Sequence, residues 1–151
     1  MITFDSLDDL RAATGTHLGW TDWIEITQDR VNLFADATGD HQWIHVDPER
    51  ATAESPFGGP IAHGYLTLAL SNLFLPQLIA VPAASAGVNY GTGRVRFPSP
   101  VPVGARIRAG AEIAAVEDLP SGLQTTITIT IEVEGSEKPA CVIDSLSRWL
   151  A

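Results

Sequence analysis

Residues 61–75 set the terms for everything around them. Ile61, Ala62, Tyr65, Leu66, Leu68, Ala69, Leu70, Leu73 and Phe74 occupy most of a helical wheel, and a helix apolar on nearly all sides has to be buried on nearly all sides. Pro76 ends or kinks it, and VPAASAG follows as a linker. The hydrophobic period then changes to two. Residues 88–97, 105–116, 123–134 and 139–150 are rich in Val, Ile and Thr, with TTITITIEVE the clearest alternation. Their separators, PSPVPVG, EDLPSG and EGSEK, are short enough for antiparallel hairpins or meanders. A buried helix followed by about four such strands implies an antiparallel sheet curled around the helix, an α+β domain. At ~1.5 Å per residue the helix would span roughly 22 Å, comparable with the width of a five-stranded sheet at ~4.8 Å spacing. Such a sheet has open edges, and pairing of edges in a dimer is one way to cover them.

The segment before the helix reads through its caps. Ser6 with Asp9 resembles a capping box, so residues 7–13 form a short helix that Gly15 ends. Residues 20–26 are extended and lead to Thr27 as N-cap, with Asp29 in the first turn to suit the helix dipole. Val31, Phe34, Ala35 and Thr38 then recur at helical spacing until Gly39. Asp47-Pro48-Glu49 is an N-cap followed by Pro at the first helical position, which predicts one or two turns over 48–53. Residues 54–60 are a loop by composition.

The 151 residues fit one domain, 1–151, with 45% hydrophobic and 18% charged residues. A formal charge of −9 predicts a surface that repels nucleic acid and anionic membranes. Against that sign, Arg94, Arg96, Arg106 and Arg108 cluster along the strands. They either hold a phosphate bidentately or pair with neighbouring acids. The single Cys141, within ACVID, reads as a buried strand residue rather than a catalytic thiol. The acidic N-terminus does not read as a signal peptide, and no apolar run is long enough to span a bilayer, so a cytoplasmic location is expected.

Chemistry-bearing residues crowd the loop that runs into the apolar helix. Asp40 and His45 are a candidate pair for moving protons to and from water. Five residues apart, they point to different sides of a helix or a strand, and converge only if residues 39–44 turn. Otherwise Asp40 caps nearby backbone and His45 is a half-buried structural histidine. His41 and His45 share an i,i+4 separation, but the segment lies between Gly and Pro, is not expected to be helical, and lacks the HExxH pattern. No metal is expected. No GxSxG elbow, P-loop or dinucleotide fingerprint occurs.

The run Ala37-Thr38-Gly39-Asp40-His41-Gln42-Trp43-Ile44-His45, continued by Val46-Asp47-Pro48-Glu49-Arg50-Ala51, resembles the signature of MaoC-like, (R)-specific enoyl-CoA hydratases. Pro60-Ile61-Ala62-His63-Gly64 resembles that family's entry to its central helix. Asn89-Tyr90-Gly91, Val95-Arg96-Phe97-Pro98 and Pro100-Val101-Pro102-Val103-Gly104 resemble its first long strand and following turn. The resemblance implies the hot-dog fold, a homodimer, and cofactor-free, reversible addition of water to a trans-2-enoyl-CoA, with CoA entering only as part of the acyl-CoA substrate. By the same analogy Asp40 and His45 hold the water, one accepting its proton and the other supplying one to C2, while the Gly64 amide meets the developing enolate oxygen. His63 reads as structural rather than catalytic. Gln42 and Trp43 stand where the family usually has Asn-Pro, which changes loop shape and pocket size. Asn72 aligns with a helix position that carries Ser in some members. Gln42, Trp43, Asn72, Arg94 and Arg96 are therefore expected to meet substrate. The rivals are a hot-dog thioesterase and a non-catalytic acyl-CoA-binding subunit.

Overall fold

Local capping chemistry starts and stops the first helices where the sequence places those signals. The computed structural model describes residues 1–151. After the short strand β1 (Ile2–Thr3), Ser6 caps α1 (Leu7–Arg11) by accepting from the Asp9 amide at 3.0 Å. Strands β2 (His17–Trp20) and β3 (Ile24–Glu25) lead to α2 (Gln28–Thr38), which Thr27 caps. Gly39 closes α2 in the left-handed region at φ 81°, its amide donating to the Ala35 carbonyl. A single turn, α3 (Trp43–Val46), precedes α4 (Pro48–Glu54), which Asp47 caps through the Arg50 amide. The turn at 43–46 departs from the sequence expectation of a non-helical segment. It carries His45 inward, where Gln28 on α2 donates from its side chain to the His45 carbonyl at 2.7 Å.

The central helix forms, but three residues later than its hydrophobicity implies. It consists of α5 (Gly64–Ala69) and α6 (Ser71–Leu78), joined at Leu70, which remains in helical conformation. Residues 60–62 are instead drawn into extended backbone by the segment after the next strand. The Ala62 amide donates to the Val101 carbonyl at 2.8 Å, the Val103 amide to the Pro60 carbonyl at 2.9 Å, and Ile61 bridges Pro102. At the far end Pro76 does not stop the helix, which runs on to Leu78. There β4 (Ile79–Ala80) pairs in parallel with β1.

The remaining strands are β5 (Ala86–Arg96), β6 (Arg106–Leu119), β7 (Gly122–Val133) and β8 (Cys141–Leu150). The main sheet is antiparallel in the order β2-β6-β7-β8-β5, with β3 also against β6. PSPVPVG is therefore not a hairpin. It carries the chain from the β5 edge across to β6, and on the way makes the bonds that fix the entry to α5. The inward residues of β6 and β7, Ile107, Ile113, Ile127, Ile129 and Ile131 among them, are fully buried in one core with Leu66, Phe74 and Leu78 of the helix. Cys141 belongs to that core, and burial pushes its thiol up to about 11. This is a sheet wrapped around a helix, the hot-dog arrangement.

One turn carries a sharp steric demand. Gly122 ends the two-residue turn between β6 and β7 at φ 143°, where a Cβ would sit 1.9 Å from the Trp149 carbonyl oxygen. Backbone on both sides leaves the methyl group nowhere to go. Gly122→Ala is expected to lower stability by about 2 kcal/mol or more, read as a lower urea midpoint at unchanged slope.

Candidate active site

The turn after Gly39 folds back, as the pairing of Asp40 and His45 requires. A carboxylate oxygen of Asp40 and ring nitrogens of His45 and His63 all lie within 4.8 Å of one another. Asp40 is exposed, whereas His45 and His63 retain 8% and 2% of their exposure. A water molecule between Asp40 and His45 can hydrogen-bond both at that separation.

Each group is held from behind. The Gln42 amide donates to Asp40 Oδ1 at 3.3 Å, and His63 Nε2 meets the Asp40 carbonyl at 3.0 Å. Because a carbonyl only accepts, the protonated nitrogen of neutral His63 is Nε2, and its Nδ1 is left buried without a partner. The His63 ring stacks on His45 with centroids 4.0 Å apart and packs against Phe34 on α2. His45 Nδ1 donates to the Ile61 carbonyl at 2.7 Å. In the neutral ring that bond puts the proton on Nδ1, so Nε2 presents a lone pair. Burial pushes the His45 imidazole below its ordinary value of 6.5 and the His63 neighbour adds to this, while the bond to Ile61 and the charge of Asp40 oppose it. His45 is thus a neutral base at neutral pH.

Asp40, His45 and His63 are donor types a divalent cation accepts. The two rings are stacked at 26°, and one nitrogen of each is already engaged by a carbonyl, which leaves each ring a single free nitrogen. His41 turns away to Asp36, at 2.9 Å, which raises its pKa.

The displaced start of α5 makes Gly64 its first residue. As the first helical residue its amide lies outside the i→i−4 ladder, the first closing bond running from Thr67 to the His63 carbonyl. Gly64 is exposed beside a cavity of about 360 Å³, also lined by Phe57, Thr67 and Phe97. Asn72 lies on α6 and faces two further cavities, of about 490 and 260 Å³. Asp40 and His45 line none of these in the single chain.

The other expected residues are less gathered. Gln42 is exposed and precedes α3, while Trp43 is half-buried with the Arg50 guanidinium 4.3 Å over its ring. Arg106 and Arg108 are engaged across the strands by Glu134 and Glu132, at 3.1 and 3.0 Å. Arg108 also lies between Trp20 and Trp23 on the outer face. That leaves Arg94, a loose 4.0 Å from Asp144, and Arg96, which meets only the neighbouring Val95 carbonyl, as exposed cations on β5. His63, expected from the sequence to be structural, sits as a support that stacks on His45 and bonds the Asp40 backbone.

A family model described as MaoC-like domain matches residues 9–135. Over the whole of both chains the protein is 57% identical to a Mycobacterium tuberculosis protein named 3-hydroxyacyl-thioester dehydratase Z. It is 46% identical to nodulation protein N of Rhizobium meliloti, covering 97% of this chain and 89% of that one. An (R)-hydratase from A. caviae involved in PHA biosynthesis shares the fold, with a TM-score of 0.74 at 24% identity over 90% of this chain and 96% of that one. The chain belongs to the MaoC-like dehydratase family.

Proposed function

We propose that this hydro-lyase adds water reversibly to a trans-2-enoyl thioester, giving the (R)-3-hydroxyacyl thioester, without metal or cofactor. The observation that carries the reading is the Asp40 carboxylate within 4.8 Å of a His45 ring whose Nδ1 is committed to Ile61. His45 Nε2 takes one proton from water as the oxygen bonds to C3, and Asp40 orients the water through its other hydrogen. The π electrons move to the thioester oxygen, where the Gly64 amide supports the enolate. The proton held on His45 then returns to C2 on the same face, completing a syn addition. Incubation with crotonyl-CoA is expected to remove the conjugated enoyl absorbance without releasing thiol. A (3S)-specific hydroxyacyl-CoA dehydrogenase is expected to leave the product untouched. Release of thiol instead would identify a thioesterase, and no turnover with any enoyl-CoA would favour a non-catalytic subunit.

The free-enzyme pH profile tests the base. Burial favours neutral His45, so kcat/KM for hydration is expected to hold as pH falls to 6.5 and to drop only below it. An acid limb centred above 6.5 would remove His45 from this role.

The reading includes a homodimer. Strand β5 is an edge strand exposed along most of its length, with Val88 and Tyr90 exposed on it and Tyr65 and Leu73 on the adjoining helix. An unpaired edge beside apolar surface favours pairing with a second copy. No helix is long and apolar enough to cross a membrane. Sedimentation equilibrium is expected to give twice the chain mass, and a monomer at micromolar concentration would overturn this part.

A further inference from the structure

Along the inner face of β8 the buried residues change character halfway. Cys141 and Ile143 are apolar, but the next two inward positions are Ser145 and Ser147, at 8% and 7% exposure. Ile or Val there would bury about 1.5–3 kcal/mol of side chain each. Packing alone does not explain the hydroxyls. Ser145 lines the cavity of about 490 Å³ that begins at Phe34 and Thr38, next to the Asp40 loop, and passes Tyr65. Ser147 lines the cavity of about 260 Å³ beyond it. The two share Asn72 from the helix and Asn89 from β5, so they form one groove running away from the site.

Trp149 also lines the second cavity. Its Nε1 donates to Thr125 Oγ1 at 3.0 Å, and its ring packs so closely on Gly87 that a Cβ there would lie 2.9 Å away. Thr125 is thereby occupied, and it also donates to the Ser147 carbonyl. The side chains of Ser145, Ser147, Asn72 and Asn89 make no hydrogen bond within the chain. Asn72 and Asn89 are exposed and Ser145 and Ser147 are largely buried, and with no partner inside the chain all four are free to hydrogen-bond an occupant of the groove.

We infer that the acyl group received by this groove carries a hydroxyl or carbonyl oxygen beyond the reacting C2–C3 bond, bound by Ser145, Ser147, Asn72 and Asn89. This rests on the enoyl-thioester reading above and adds the chemical class of the acyl chain. A plain aliphatic tail strips water from these polar groups and returns nothing, whereas an oxygenated tail replaces it.

The test compares kcat/KM for two series of trans-2-enoyl-CoA thioesters matched in length, one plain and one ω-hydroxylated, so that chain length scans the oxygen along the groove. At its best length the hydroxylated substrate is expected to exceed its plain partner by at least ~10-fold, the effect of one net hydrogen bond. Ser147→Ala and Asn72→Leu are expected to lower that ratio, the hydroxylated series losing more than the plain one, with folding checked by thermal melting. Equal rates, or a faster plain series at every length, in the wild-type protein overturn the inference while leaving the hydratase reading intact. If neither series turns over, the hydratase reading falls and this inference with it.

Discussion

Replacing His45 by Gln, or Asp40 by Asn, is expected to lower enoyl-CoA hydration at least ~100-fold, the range for lost general acid–base help. Gln at 45 can still donate to the Ile61 carbonyl, so the loop keeps its main anchor, but no nitrogen remains that accepts a proton. Asn at 40 can still accept from the Gln42 amide, and the His63 contact is to backbone, so the turn survives while the charge that orients water is removed. If the two act on one water, the double variant should fall little further than the worse single one. Steady-state rates on crotonyl-CoA, with near-wild-type circular dichroism, check this. Either variant working at close to the wild-type rate would take that residue out of the mechanism.

What the sequence discloses about this site divides along a physical line. Caps are local chemistry, and Thr27, Gly39 and Asp47-Pro48 sit where their side chains and dihedrals predict. The strand alternation of 123–134 survives as the in–out burial of β7, because one face of the sheet packs on the helix. The start of the central helix was not local. The apolar helical pattern opens at Ile61, but backbone bonds of Pro60 and Ala62 to Val103 and Val101, some forty residues on, hold this stretch extended. Glu132 and Glu134 lie 24 and 28 residues from the arginines they engage, which is why spacing alone left Arg106 and Arg108 open between phosphate and acid partners. Conversely, residue type and the family resemblance nominate Asp40 and His45, but neither brings them together. Their meeting depends on a turn of α3 that the flanking Gly and Pro argue against, and on a buried His63 that stacks with one and bonds the backbone of the other.

Because that crossing segment starts the helix at Gly64, a single substitution separates the amide donor from the residue that carries it. Gly64→Pro deletes the N–H without opposing the helix, since proline is favoured at the first helical position. His63 precedes it at φ −59° and ψ 138°, the extended conformation a residue before proline adopts. Gly64→Ala is the matched control. It keeps the amide and places a methyl group 3.4 Å from the Phe97 ring, a tight contact that an exposed phenyl can ease by shifting slightly. If the amide supports the enolate oxygen, the proline variant should lose about 10²–10³ in kcat, as for removal of one oxyanion donor, with the alanine variant well above it. Because the bond strengthens as charge develops on the oxygen, the loss should appear in kcat more than in KM. Equal rates for the two variants would mean that the enolate is held by some other donor, and that the displaced helix start serves only to shape the loop.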